Sequence, residues 1–188
     1  TYQDITVGIS TSGTGTEGTD YGTVSNITIT AGSTTGTATF TPTDDSVYEG
    51  NETGIIAIDT VTGGSATENG TQSVTLTITE NESAPTVTLT SSASSIAENA
   101  GSSLTLTATL SVATTANVSV ALSTSGTGTE GSGGDYATIS DITISAGSTT
   151  GTATFTPTDD STFEGDETAI IDIDSVSGGS ASENGTQR

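Results

Sequence analysis

The segment 104–110 reads Leu-Thr-Leu-Thr-Ala-Thr-Leu, and this stretch decides the fold class. Apolar side chains occupy every second position, and threonine occupies the positions between them. Successive side chains of an extended chain point to opposite faces, so the pattern predicts a β-strand with one buried face and one solvent-exposed face. The same period of two recurs at 74–78, 118–122, 142–144 and 152–155. The sequence therefore predicts an all-β fold.

The chain repeats itself at a domain-sized interval. Thr39–Asp45 reads Thr-Phe-Thr-Pro-Thr-Asp-Asp, and the same seven residues return 115 residues later as Thr154–Asp160. Asn69–Gln72 likewise returns as Asn184–Gln187. A period of this length matches a domain and exceeds that of a solenoid repeat. We therefore expect parts of two copies of one domain, taken from a longer array.

One full period is predicted to contain seven strands, which we letter A to G. The predicted bounds are 86–96 for A, 103–110 for B, 116–124 for C, 139–145 for D, 150–156 for E, 167–176 for F and, in the first copy only, 73–79 for G. Seven short strands in this length are typical of an immunoglobulin-like antiparallel β-sandwich. We expect residues 1–84 to hold strands C to G, lacking A and B, and residues 85–188 to hold strands A to F, lacking G.

The charge of the chain restricts the partners that it can have. There are 23 acidic residues against one basic residue, Arg188, and the formal net charge is -22 at pH 7. Such a chain repels phosphates and anionic lipid heads, so we expect neither nucleic-acid binding nor membrane insertion. The sequence has no Cys and no His, which excludes thiolate and imidazole metal sites. Hard cations that prefer oxygen ligands remain possible.

The predicted topology gathers acidic residues at one end of the sandwich. Because consecutive strands alternate in direction, the A–B, C–D and E–F loops and the end of strand G share one pole. In the second copy this pole holds Glu98, Glu130, Asp135, Asp159, Asp160, Glu164, Asp166 and Glu167. Carboxylates packed this closely raise one another's pKa values unless a cation lies among them. Calcium accepts such loop oxygens, so the pattern favours a calcium site, with a solvated acidic surface as the alternative.

The acidic loop also carries a family resemblance. The motif Asp159-Asp160-x-x-Phe163-Glu164-Gly165-x-Glu167, with Asp135-Tyr136 upstream and Ser95–Asn99 before strand B, resembles the Calx-beta domain. The resemblance spans both copies, and the first has the corresponding loop Asp44-Asp45-x-x-Tyr48-Glu49-Gly50-x-Glu52. That family includes regulatory calcium-binding domains of sodium/calcium exchangers, and similar domains occur in an integrin and in bacterial surface proteins. The resemblance implies tandem calcium-binding β-sandwiches of an extracellular, bacterial surface protein.

The resemblance implies calcium ligands by position. In the second copy they are Glu98, Asp135, Asp159, Asp160, Glu164 and Glu167. In the first copy they are Asp20, Asp44, Asp45, Glu49 and Glu52, with Glu80 or Glu82 from the end of strand G. The family often has a run of Asp after strand G, where this chain has Glu80-Asn81-Glu82. This departure leaves the number of ions per site open.

These observations lead to one functional expectation and two alternatives. We expect a calcium-binding structural repeat of a long extracellular surface or filament protein, in which calcium makes the domain junctions rigid. Its partners would be calcium ions and neighbouring repeats or subunits of the same protein. The alternatives are an adhesin for a specific partner and a calcium-sensing regulatory module. Paired carboxylates could suggest glycoside hydrolysis, but the chain offers no Trp and only four Tyr and three Phe as a sugar platform, so we expect no enzyme.

Overall fold

The computed structural model describes residues 2–185, and nearly all of its regular structure is β-strand. The strands are β1 (Ile5–Gly13), β2 (Ile27–Ile29), β3 (Val47–Tyr48), β4 (Glu52–Thr62), β5 (Ser73–Ile78), β6 (Thr86–Ser91), β7 (Leu104–Leu110), β8 (Ala113–Thr114), β9 (Val118–Gly126), β10 (Ile142–Ile144), β11 (Thr150–Phe155), β12 (Ala169–Ser177) and β13 (Ser182–Glu183). A short 3-10 turn lies at Glu98–Ala100. In the described part of the chain, no helix has the length and apolar character needed to cross a membrane.

The chain divides into two compact units. The first unit comprises residues 1–45 and 50–81, and the second comprises residues 46–49 and 82–188. Arg188, the basic residue of the sequence, lies outside the described residues. The two units are described separately below.

The first unit is built on one antiparallel sheet with the strand order β2-β1-β4-β5. Its central pair, β1 and β4, places Ile9 opposite Ile58 and carries a β-bulge next to Gly8. Tyr21 is almost completely buried, and its ring lies 4.6 Å from that of Phe40, centroid to centroid. Aromatic pairs at this distance add favourable contact beyond area burial. The pair therefore fixes the segment after β2 against the loop after β1.

The second unit is a sandwich of two sheets. One sheet is antiparallel with the order β10-β9-β12, and the other has the order β11-β7-β6-β13, in which β13 runs parallel to β6. A separate two-residue parallel pair joins β3 to β8. The apolar faces of both sheets meet in a core that includes Val87, Leu106, Ala108, Leu110, Val118, Val120, Ile142 and Ile144. Burial stabilises each large aliphatic side chain by about 1.5–3 kcal/mol, so this core is the main source of stability.

The alternation that predicted strand B is seen directly in β7. Leu106, Ala108 and Leu110 are buried, and the threonines between them are more exposed. The prediction of an all-β chain of tandem β-sandwiches is confirmed. Strand B was placed within one residue of β7, and strand E within one residue of β11.

Two strand predictions are wrong. Strand A ends at Ser91 rather than near residue 96, because the Ser92 hydroxyl accepts the Thr105 N–H, at 3.0 Å, in place of a strand carbonyl. A side chain that competes in this way ends a ladder. Strand E of the first copy does not form: the segment 35–40 has no regular structure. The described residues of the first unit supply no counterpart of β7 for it to pair with.

Candidate metal centre

The loops that follow three strands of the second unit bring acidic side chains together. The turn at Glu98–Ala100 lies between β6 and β7, and Asp135 lies between β9 and β10. The third segment, 159–167, follows β11, and Gly165 within it has a φ of +81°, a conformation that suits glycine. The convergence of these loops agrees with the pole expected from strand alternation.

One group of carboxylates comprises Glu98, Asp160 and Glu164. Each contributes an oxygen, and these oxygens lie within 4.8 Å of one another. The backbone N–H of Asp160 donates to Glu98 Oε1 at 3.0 Å, which ties the E–F loop to the A–B loop. The Asp160 carboxylate in turn accepts the Thr162 N–H at 2.6 Å. The backbone thus holds two of the three carboxylates in place.

A second group comprises Asp135, Glu164 and Glu167, again with oxygens within 4.8 Å of one another. Asp135 is half-buried and accepts hydrogen bonds from the N–H and the hydroxyl of Thr129. Glu164 belongs to both groups, and its two carboxylate oxygens can therefore serve neighbouring positions. A shared carboxylate of this kind suits a site for one cation or for two adjacent ones.

The electrostatics of these groups favour an external positive charge. Loss of solvent around the Glu164 carboxyl raises its pKa, and the neighbouring charges, first of all Asp135 and Asp160, raise it further. The pKa of Glu167 is raised for the same reasons, with Asp135 again the leading neighbour. Asp135 behaves oppositely, because the hydrogen bonds from Thr129 lower its pKa. A cation among these oxygens would relieve the repulsion.

The first unit repeats part of this arrangement with Asp20, Glu52 and Glu80. Asp20 is only 8 % exposed and accepts the Thr16 N–H. Burial raises the pKa of Glu52, and the charge of Asp20 followed by that of Glu80 adds to the effect. Glu80 Oε2 accepts the Gly50 N–H at 2.7 Å. The residue after strand G thus reaches the acidic loop of its own unit.

Asp44, Asp45, Asp159 and Glu82 belong to none of the carboxylate groups found among the described residues, whereas Glu49 does belong to one. Asp44 is exposed and accepts a hydrogen bond from the Asn81 amide at 2.8 Å. Asp45 and Asp159 are exposed, and Asp159 belongs to neither carboxylate group of the second unit. Glu49 follows β3 within the second unit, and Glu82 lies half-buried in the connection between β5 and β6. Their assignment as ligands stays a prediction.

Glu130 has a structural position that sequence reasoning missed. It was counted among the acids of the pole, but its carboxylate accepts the Thr124 hydroxyl at 2.7 Å and the Ile139 N–H at 2.7 Å. These hydrogen bonds lower its pKa. Glu17 accepts the Thr11 hydroxyl in the same way, at 2.6 Å. The repeated spacing of a threonine six residues before the glutamate was the available signal.

A glycine beside the carboxylates was also missed. A Cβ atom at Gly15 would lie 3.3 Å from Glu52 Oε2 and 3.2 Å from Ile78 Cδ1. At Gly128, its counterpart, a Cβ atom would lie 3.5 Å from Glu167 Oε2. The absent side chain leaves room for the carboxylate at both positions. The Thr-Gly-Thr-Glu motif, present in both copies, could have indicated this.

The donor set fits a hard cation. All the converging ligand atoms are carboxylate oxygens, and loops rather than strands carry most of them, which suits the flexible coordination of calcium. Only one basic residue is present in the sequence to neutralise 23 acidic ones. Calcium bound here would supply the missing positive charge, while the loop carboxylates would hold it.

Comparison with known families agrees with this geometry. The family model of the Calx-beta domain matches residues 2–82 and again residues 80–186. A comparison with curated proteins gives no significant match. Calx-beta domains are calcium-binding β-sandwich modules without catalytic activity of their own, and they occur in extracellular or surface regions. The chain belongs to the Calx-beta domain family, of which it contains two tandem copies.

Proposed function

We propose that this chain is a calcium-binding structural repeat of a long extracellular surface or filament protein. The observation that carries the proposal is the pair of carboxylate groups that share Glu164 in the second unit. Loss of solvent, and then repulsion from neighbouring carboxylates, raises the pKa values of Glu164 and Glu167, and the sequence has almost no basic residues to relieve that repulsion. A divalent cation that prefers oxygen is the simplest source of the missing charge.

An extracellular location is part of the proposal. Extracellular calcium modules bind their ion with dissociation constants of roughly 10⁻⁴ to 10⁻³ M, which matches calcium levels outside cells. Open, loop-built groups such as Glu98, Asp160 and Glu164, all exposed, suit weak binding of this kind. The membership of the Calx-beta family supports the same location.

Calcium titration of the whole chain tests the proposal. Calcium should raise the melting temperature, because a ligand that binds only the folded state stabilises it. At a concentration 100 times the dissociation constant the gain is about 2.7 kcal/mol for one site. For a domain of about 100 residues this corresponds to a rise of roughly 10–20 °C.

Two controls separate a site from general charge screening. Sodium chloride at matched ionic strength should raise the melting temperature far less than calcium, because screening is not site-specific. Isothermal titration calorimetry should give a defined stoichiometry. Equal melting temperatures in calcium-free buffer and in millimolar calcium would refute the proposal.

We further propose that calcium stiffens the connection between successive repeats. Glu80 and Glu82 lie in the connection between β5 and β6, and Glu80 reaches the loop that contains Gly50. Small-angle X-ray scattering with and without calcium would test this. A narrower distribution of interatomic distances in calcium supports stiffening, and an unchanged distribution contradicts it.

A further inference from the structure

The turn that leads into β5 contains an asparagine followed by a glycine, Asn69-Gly70. Asn69 is exposed, and its carboxamide forms no hydrogen bond within the described residues. Its backbone carbonyl accepts the Gln72 side-chain amide at 2.9 Å, which holds the main chain of the turn but not the Asn69 side chain. The carboxamide is therefore free to rotate towards the backbone that follows it.

Gly70 leaves that backbone uncovered. Its φ is +73°, a left-handed conformation that favours glycine, and a Cβ atom there would meet nothing within 4 Å. Among the described residues, none accepts a hydrogen bond from the Gly70 N–H. Neither a side chain nor a hydrogen bond thus hinders the Gly70 nitrogen.

The other asparagines of the chain do not combine these features. Four of them have carboxamides that are held by hydrogen bonds to neighbouring groups, and these are Asn26, Asn51, Asn81 and Asn117. Asn99 is followed by Ala100, whose methyl group crowds the next backbone nitrogen. Asn184 precedes Gly185, but its own N–H donates to the Val87 carbonyl at 2.9 Å, directly after β13. The structure therefore singles out Asn69.

We propose that Asn69 is a site of spontaneous deamidation, with the Gly70 nitrogen as the nucleophile and water as the co-reactant. The deprotonated Gly70 nitrogen attacks Asn69 Cγ, the Cγ–Nδ2 bond breaks, and Nδ2 leaves as ammonia after taking up the proton that the Gly70 nitrogen lost. Water then opens the resulting succinimide ring. Attack of water at Cγ gives aspartate. Attack at the Asn69 backbone carbonyl carbon breaks its bond to the Gly70 nitrogen and gives isoaspartate, whose main chain runs through Cβ and Cγ.

Isoaspartate at this position should loosen the pairing of β5 with β4. Glu68 Oε1 accepts the Gln72 N–H at 2.8 Å, and the Gln72 carbonyl accepts the Ile58 N–H at 3.1 Å. The modification inserts one atom into the main chain between Glu68 and Gln72, which distorts both hydrogen bonds. It also places a new negative charge next to Glu68. The effect should be greatest where Ser73 pairs with Ala57, at the start of β5.

Ageing of the intact chain tests the proposal. The 188-residue protein is incubated in water labelled with heavy oxygen at neutral and at mildly alkaline pH, digested with pepsin in acid, and its peptides are measured by mass spectrometry. Asn69 should take up one labelled oxygen at least fivefold faster than the four asparagines with bound carboxamides. The rate should rise with pH, because the deprotonated nitrogen is the attacking group. A methyltransferase that recognises isoaspartate should methylate the aged chain at residue 69.

A matched pair of glycine variants separates the local chemistry from general loosening of the fold. Gly70→Ala should slow the loss of Asn69 at least tenfold, because the added methyl group crowds the attacking nitrogen. Gly32→Ala is the control, since Gly32 also has a positive φ, +84°, with nothing within 4 Å of a Cβ atom. It should leave the rate at Asn69 unchanged. An unchanged rate in Gly70→Ala, or equal slowing in both variants, would contradict the mechanism.

Hydrogen exchange measures the structural consequence. The Ile58 amide should exchange at least threefold faster in aged protein that carries isoaspartate than in fresh protein, because its acceptor belongs to the modified turn. Equal exchange of this amide in fresh and aged protein would refute the loosening of β5.

The repeat supplies an internal comparison of the site itself. The pentapeptide Glu-Asn-Gly-Thr-Gln occurs at 68–72 and again at 183–187, so the intrinsic reactivity of the two asparagines is matched. Because Ser182 and Glu183 pair with β6 and hold Asn184 in place, Asn69 should be lost at least threefold faster than Asn184. Equal rates would show that the dipeptide alone decides, and an intact Asn69 after prolonged alkaline incubation would overturn the proposal as a whole.

Discussion

Sixteen consecutive residues are identical in the two copies, and part of this run differs in structure. The sequence from Ala31 to Ser46 is the same as that from Ala146 to Ser161. In the second unit, residues 150–155 form β11 and pair with β7 from Thr109 to Leu104. In the first unit the corresponding residues 35–40 form no strand. Local sequence cannot be the cause, because it does not differ.

The two segments nevertheless have the same immediate neighbours. A Cβ atom at Gly36 would collide with the Thr28 carbonyl, and one at Gly151 would collide with the Thr143 carbonyl. The ring centroids of Tyr136 and Phe155 lie 5.0 Å apart, and those of the corresponding pair Tyr21 and Phe40 lie 4.6 Å apart. What differs is the strand on the far side, which is β7 in the second unit. Strand formation here depends on a partner across the ladder rather than on intrinsic propensity.

The first unit has no described counterpart of β7, and side chains next to residues 35–40 are also less buried there than in the second unit. Ile142 and Ile144 are fully buried in the second unit, whereas their counterparts Ile27 and Ile29 are only half-buried. Because hydrophobic stabilisation scales with the apolar area removed from water, the first unit gains less from the same side chains. The comparison therefore predicts unequal stability in two units of similar sequence.

The largest expected effect concerns isolated fragments. Residues 1–84 alone should not fold cooperatively, because half-buried side chains such as Ile27 and Ile29 leave an apolar face uncovered. Residues 85–188 should retain strand structure, since they hold nearly all of the buried core. Circular dichroism melts and amide NMR spectra of both fragments would check this. A monodisperse, fully folded 1–84 fragment would remove the distinction between the copies.

The next largest effect is a difference in hydrogen exchange between the identical segments. Amides of 150–155 should exchange at least about 100-fold more slowly than those of 35–40, because ladder hydrogen bonds protect only the former. Intrinsic exchange rates are matched by the identical sequence, so each amide has its own control within one sample. Equal protection of both segments would show that the first copy also pairs there.

The sequence predicted much of this structure, but it did not predict which strands form only when a neighbouring strand is available to pair with them. The period of two located β7 and β11, and strand alternation brought Glu98, Asp135 and Glu164 to one end. It did not show that residues 35–40 form no strand, because an identical sequence forms β11 in the second unit and periodicity does not reveal that β11 depends on pairing with β7. The short parallel pairs of β3 with β8 and β13 with β6 have no sequence signature either, because two residues show no periodicity.

A smaller effect compares two aspartates of the second unit. Asp160→Ala should weaken calcium binding at least about tenfold, or about 1.4 kcal/mol, because its carboxylate belongs to the group with Glu98 and Glu164. Asp174→Ala should change the affinity little, since Asp174 is exposed on β12 and belongs to neither carboxylate group found among the described residues of the second unit. Both variants remove one charge, so calorimetric titration of the pair cancels the general electrostatic effect. Equal losses would mean that calcium responds only to net charge.

The smallest expected effect is the pH dependence of stability without calcium. The pKa values of Glu52, Glu164 and Glu167 are raised by burial and by neighbouring carboxylates. A raised pKa in the folded state means that the folded protein binds protons more readily than the unfolded chain. Stability should therefore increase as the pH falls from 7 towards the ordinary glutamate value of about 4.3.

Below that range the direction should reverse. Hydrogen bonds hold the pKa values of Asp135 and Glu130 below their ordinary values, so protonation of these groups favours unfolding. Lower pH also reduces the general repulsion of an acidic chain, which calls for a matched control. Glu164→Gln should flatten the rise between pH 7 and 4.5 more than Asp174→Asn, although both remove one charge.

Melting temperatures of decalcified protein across this range would measure both slopes. Saturating calcium should abolish or invert the upper slope, since protons then compete with the ion for the same oxygens. If melting temperature depends on pH in the same way in the two variants, the carboxylates of the second unit's groups repel one another no more than those of the remaining acidic surface. That result would also remove the electrostatic argument for a cation among them.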